Sequence, residues 1–222
     1  MRQVPMVYEH TNRCLACARW YSNPVLMVVD AAFDSIGLNY IQSIVPKVEL
    51  FRQRYVTTGK IKKYEDLVDT DEASLREIWK NARSWRVAKD ISTYLAGLRK
   101  ELHADDRTTL IHWAKNSPLK GWKDDPVGRI NGVGLITYQY LRMMGGVDTV
   151  MPDKIVKKVI SEMLNKADVS CPEDDIGFVL FIEKLAPRTG YRAIELCWMT
   201  WLIRSEAWLS GKSKYAPLLD RI

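Results

Sequence analysis

With 222 residues, 47% of them apolar, and a mean hydropathy of −0.21, the chain is long enough to bury a real core, as one globular unit or two closely packed subdomains. Its 33 Lys and Arg against 27 Asp and Glu leave a net charge of +6, which suits a polyanionic partner and equally an ordinary basic surface. No apolar run has the length of a membrane span and the first residues are too polar for a secretory signal, so an intracellular protein, cytoplasmic or nucleoid-associated and not membrane-bound, is expected.

Helical periodicity runs through the whole chain. Asn23-Pro24 precedes an apolar helix from Val25 to about Phe33, and a second helix is expected from Asn39 to Tyr55. Tyr64 to Val68 reads as a short helix, and Asp71 to Ala82 as another with Leu75, Ile78 and Trp79 on one side. Ser84 is placed to cap a longer helix carrying Val87, Ile91, Tyr94, Leu95, Leu98 and Leu102 at intervals of three and four. Asp106 to Lys115 follows, and Asn116-Ser117-Pro118 breaks it. Asp125-Pro126 has the cap and first-position proline of a further short helix. Gly132-Val133-Gly134 then permits a sharp reversal with φ > 0. Leu135 to Met144 is helical, with Gly145-Gly146 to stop it, and Pro152-Asp153 opens Lys154 to Leu164, where Ile155, Val156, Val159, Ile160 and Met163 share a face. Asp174 to Leu185 and Tyr191 to Leu209 complete the set. Strand patterns are scarce, and the expected class is all-α.

Two features carry chemistry. A glycine turn between helices presents backbone N–H groups, and the next helix adds the positive end of its dipole, so a phosphate oxygen can be held without reading base identity. Asp153 opens the following helix, where it is an N-cap worth about 1 kcal/mol or a functional carboxylate. Cys14, Cys17, Cys171 and Cys197 have the spacing of neither a disulfide framework nor a four-thiolate metal site, and His10, His103 and His112 are too dispersed for a metal centre or a catalytic triad. No metal is expected.

Ile130-Asn131-Gly132-Val133-Gly134, the helix after it and Met151-Pro152-Asp153-Lys154-Ile155-Val156 resemble the helix-hairpin-helix and catalytic-aspartate segments of the DNA glycosylase superfamily that includes endonuclease III. Pro152 to Lys157 is most similar to its alkylated-base branch, as is Leu185-Ala186-Pro187-Arg188-Thr189-Gly190-Tyr191-Arg192-Ala193 followed by Trp198 and Trp201. Agreement is weaker between Val25 and Leu102. The resemblance implies a two-lobed fold: a central helical lobe over residues 30–145 ending in the hairpin, and a second lobe from 1–29 plus 146–222, with Asp153 in the cleft between them. It implies a base-excision repair enzyme that hydrolyses the N-glycosidic bond of a damaged or mismatched base flipped out of double-stranded DNA, working as a monomer. Many relatives hold an iron–sulfur cluster on four closely spaced C-terminal cysteines; that pattern is missing here and no cluster is expected. Hairpin carbonyls of relatives often hold a monovalent cation, and residue types leave open whether this hairpin does.

Breaking the glycosidic bond builds positive charge on the sugar, which an ionised carboxylate stabilises by about 4 kcal/mol at ~4 Å and an effective dielectric of ~20. Helix-end amides are expected to hold Asp153 in that ionised form, and the same group can orient the attacking water. Bifunctional relatives carry a Lys two residues after the second hairpin glycine. Ile136 stands there, so hydrolysis without lyase chemistry is expected, unless an amine such as Lys154 substitutes. Asn131, Gly132, Val133, Gly134 and Leu135 form the expected phosphate clamp, with Lys120, Lys123, Arg129 and Lys154 beside it, and Lys157 and Lys158 along the next helix. Phe33, Trp85, Trp122, Ile136, Tyr138, Tyr140 and Tyr191 are the candidates for a base pocket. Where many relatives have a Ser-x-Gln plug for the vacated stack, the chain reads Asp30-Ala31-Ala32-Phe33-Asp34. That departure, and Asn131 in a position usually held by Pro, keep a non-catalytic DNA-binding protein as the alternative, with a helical protein-interaction domain third.

Overall fold

The computed structural model describes residues 6–204, and within them every regular element is helical. The elements are α1 (Val7–Leu15), α2 (Arg19–Ser22), α3 (Pro24–Asp34), α4 (Val45–Phe51), α5 (Tyr64–Asp69), α6 (Glu72–Arg76), α7 (Ala82–Leu102), α8 (Asp106–Asn116), α9 (Leu135–Met144), α10 (Lys154–Asn165), α11 (Asp175–Thr189) and α12 (Ala193–Arg204). Wide π-type turns over Tyr40–Ile44 and Arg52–Val56 flank α4. In α2 the backbone is left-handed, with φ of 51, 61 and 60° at Trp20, Tyr21 and Ser22. No helix of the described residues is long and apolar enough to cross a membrane.

Side-chain caps start most of the long helices. Asn23, Asn81, Asp105, Asp153 and Asp174 accept the amides of Leu26, Ser84, Thr108, Val156 and Gly177 at 2.6–3.1 Å. Each such bond satisfies an amide that the helix itself cannot, at about 1 kcal/mol. Helix α3 is apolar around most of its circumference, and Val25 to Phe33 are all buried. A helix of that kind has to be central; it packs on α4, α7, α8 and α9. Helix α12 gathers α1, α10 and α11, while α9 touches both α1 and α3. Residue 30, where the expected central lobe begins, lies inside α3.

Several expected boundaries move. Helix α7 begins at Ala82 on an Asn81 cap, while Ser84 is buried and supplies the capped amide. The helix expected over 71–82 ends at Arg76, although Leu75, Ile78 and Trp79 do bury together. Asp125-Pro126 opens only a turn: the Asp125 carboxylate takes the Val127 amide at 2.9 Å and the Trp113 indole N–H at 3.2 Å, and Ile130 N–H bonds back to Val127 after one turn. Helix α11 continues past Leu185 and through Pro187 to Thr189. Helices α1 and α2 had no forecast, and the forecast of helix as far as Leu209 lies partly outside the described residues.

Candidate active site

A cavity of about 760 Å³ opens where α3, α9, α10 and α12 converge. One wall is aromatic, from Tyr40, Tyr140, Trp198 and Trp201. Tyr40 meets Tyr140 and Trp201 edge to face, with ring centroids 6.3 and 5.7 Å apart, and Trp198 meets Trp201 at 5.8 Å. The wall is pinned from behind by a buried polar network. Asp30 Oδ2 accepts Tyr140 OH at 2.7 Å, Tyr40 OH at 3.0 Å and Trp20 Nε1 at 2.7 Å. Arg19 donates to the hydroxyl oxygens of Tyr40 and Tyr140 at 2.8 and 3.2 Å, lies 3.8 Å from Asp30, and covers the Trp198 ring at 5.0 Å. The left-handed turn of α2 places Arg19 and Trp20 in this network, so local backbone strain is offset by ordering the wall.

Asp153 lines the same cavity as the N-cap of α10. Its Oδ1 accepts the Val156 amide at 2.7 Å. The expectation that helix amides hold it ionised needs correction: burial raises its pKa above the usual carboxylate range, and the amides of Val156 and Ile155 offset only part of that. Desolvation is the larger effect, and the buried Cys197 is close enough for the Asp153 charge to push its thiol up in turn. An approaching positive charge is therefore met by a poorly hydrated carboxylate, which strengthens their attraction.

The glycine turn forms the opposite rim. Gly132 has φ +106°, and a Cβ there would stand 2.8 Å from Val87 Cγ2 and 3.1 Å from Arg83 Nε, so the residue is required on both counts. Gly134 differs from the expectation of a positive φ: it is at −101°, and nothing lies within 4 Å of a Cβ added to it. Its contribution is open space beside the start of α9, where no side chain caps the first amides. Gly132, Gly134, Leu135, Ile136 and Thr137 all line the cavity. The Ile130 and Gly134 carbonyls accept the amides of Val133 and Tyr138, which closes the turn onto the start of α9.

A second carboxylate shares the cleft. Asp34 is the last residue of α3, partly exposed and lining the cavity. Burial, followed by the nearby charges of Asp30 and Asp153, pushes its carboxyl up to about 7. Sequence reasoning met Asp34 only as the end of an altered plug segment. The available signal was electrostatic: an acid in the last turn of a helix faces the negative end of the dipole, a position that favours cations.

Of the forecast pocket residues, Tyr140 and Ile136 line the cavity. Phe33 is packed in the core, stacked on Trp79 at 4.8 Å, and Trp85 is buried with its indole bonded to the Trp79 carbonyl. Tyr138 is buried and donates to the Pro118 carbonyl, next to a half-buried Trp122. Tyr191 is exposed and does not line the cavity. Among the forecast basic residues Lys154 lines it; Lys120, Lys123 and Arg129 are exposed away from its lining, as is Asn131, and Val133 is buried. Arg83 joins the lining without having been singled out, and Tyr40, Trp198 and Trp201 supply the aromatic wall that sequence reasoning assigned elsewhere. Lys157 is occupied by Asp175 and the Glu173 carbonyl, both at 2.7 Å. Asp30 to Phe33 are fully buried, so that segment cannot enter a base stack. No family model, curated protein or solved structure matches the chain.

Proposed function

We propose that the protein is a DNA glycosylase that hydrolyses the N-glycosidic bond of a base extruded from duplex DNA. The supporting observation is that Asp153 shares one cavity with an aromatic wall and with the uncapped start of a helix. The partly exposed rings of Tyr40 and Trp201 meet a flipped base with Tyr140 and Trp198 buried behind them, the amides after Gly134 hold a backbone phosphate, and Asp153 faces the sugar. As the bond breaks, the carboxylate stabilises charge at C1′ and accepts a proton from the attacking water. Leu38 and Ile136, exposed apolar side chains at the rim, are suited to fill the vacated stack. Ile136 in place of a lysine makes the reaction hydrolytic, and Lys154 is the only lysine lining the cavity among the described residues.

A panel of single-lesion duplexes tests the proposal. Free base should be released under single-turnover conditions, and Asp153→Asn should lower the rate by about 10²-fold or more while leaving salt-dependent duplex binding within threefold. Binding without release from any lesion would make the protein a non-catalytic DNA binder, and no binding at low salt would end the nucleic-acid reading. A borohydride-trapped adduct would overturn the hydrolytic assignment.

A further inference from the structure

We propose that Asp34 is the acid that protonates the departing base, and hence that the substrate base is neutral and not a cationic, N-alkylated one. The inference rests on the glycosylase reading and adds a catalytic residue and a substrate class to it. Three carboxylates line the cavity: Asp34, Asp153 and Asp175. Asp175 is paired with Lys157 at 2.7 Å. Asp153 accepts a helix amide through Oδ1, a bond that favours its carboxylate form. Asp34 has no side-chain hydrogen bond and no ion pair among the described residues, although its carboxyl faces the cleft. When two nearby acids share one proton, it settles on the one whose charge is least supported.

The other groups around the cavity leave this part to Asp34. The hydroxyls of Tyr40 and Tyr140 are committed to Asp30, the carboxylate behind the wall. Arg83 and Lys154, the cationic side chains of the lining, form no ion pair with Asp34. Burial together with the charges of Asp30 and Asp153 raises the Asp34 carboxyl to about 7, so about half of it carries a proton at neutral pH and it is matched to act as a donor there.

The step balances without a further reactant. The C1′–N bond breaks with its electron pair going to the base, and the Asp34 proton moves to a ring nitrogen of that base, which leaves neutral. Water adds its oxygen to C1′ and gives its proton to Asp153, and exchange with solvent returns the proton to Asp34. A base that is already cationic leaves neutral without any donor. An acid at this position therefore contributes only when the base begins neutral.

The test is single-turnover release from duplexes carrying hypoxanthine, 8-oxoguanine, a guanine-mismatched thymine or 7-methylguanine, over pH 5–9. With wild type the neutral bases should be released, at rates that fall tenfold per pH unit above about 7, the range set by the carboxyl. Asp34→Asn should slow them by about 10²-fold or more and remove that descending limb, and Asp34→Glu should restore part of both. Because the wild-type pH profile is read on unaltered protein, the test does not depend on the variant folding. Release of 7-methylguanine alone, a flat profile above pH 7, or an Asp34→Asn loss below threefold would overturn the acid assignment and leave the glycosylase reading in place. Absence of release from every duplex would remove both.

Discussion

Asp34→Asn should stabilise the fold, and by more at high pH than at low. The unfolded carboxyl titrates near 3.8 and the folded one near 7, so the folded state holds a proton that the unfolded state has released between those values. Stability contributed by this group is therefore full below about 4 and is lost as pH rises through 7. A gap of about three pH units at 1.36 kcal/mol each gives a penalty near 4 kcal/mol at pH 9, and about 1.5 kcal/mol is already incurred at pH 5. Asn has nearly the same shape and no charge to desolvate, so it avoids the whole penalty. Urea unfolding of both proteins at pH 5, 7 and 9 measures the difference. The expected gain for the variant grows by about 2–3 kcal/mol across that range, which for a chain of this size is roughly 5–10 °C in Tm. A gain equal at all three values, or a variant less stable at pH 9, would refute the burial argument. Such an outcome would place Asp34 in an environment as wet as bulk solvent. A residue that costs the fold this much is better understood through what it does in the cleft.

His10 should produce the opposite slope. It is buried, stacked on Trp198 at 4.8 Å, and burial with the charges of Arg19 and Arg13 lowers its pKa from 6.5 to about 3. Stability is thus lost as pH falls from about 6.5 toward 3, by up to about 4–5 kcal/mol, and His10→Gln should flatten that part of the curve in urea titrations. Asp30→Asn strands the buried Arg19 guanidinium and should cost roughly 3–5 kcal/mol; a loss below 1 kcal/mol by chemical denaturation would show that the network does not hold the wall. Gly132→Ala and Gly134→Ala should separate packing from recognition. The first meets Val87 at 2.8 Å with φ +106° and should lose about 1–3 kcal/mol, measured as a drop in Tm. The second meets nothing and should stay within about 0.5 kcal/mol, while duplex affinity by fluorescence anisotropy falls at least threefold because a methyl group then stands at the uncapped helix start.

Helix class, and the position of most helices from Pro24 onward, were legible because they depend on local order. Caps at Asn23, Asp153 and Asp174, prolines at first helical positions and three-to-four spacing of apolar residues all act within one or two turns of the chain. Asp153 was legible for the same reason, since an N-cap and the turn before it are read from a few neighbouring residues. Pocket membership was not. Phe33, Trp85 and Tyr138 are aromatic like Tyr40, Trp198 and Trp201, and nothing in residue type tells which ring meets the core and which meets the cleft. That division is made by how α3, α9 and α12 cross, by contacts between residues as far apart as Asp30 and Tyr140. The charge state of the cleft also belongs to tertiary structure. Sequence predicts that helix amides favour an ionised Asp153, but desolvation by distant segments reverses the direction and raises Asp34 beside it. Burial is a property of the assembled molecule, and a carboxylate acquires it only when the rest of the chain closes around it.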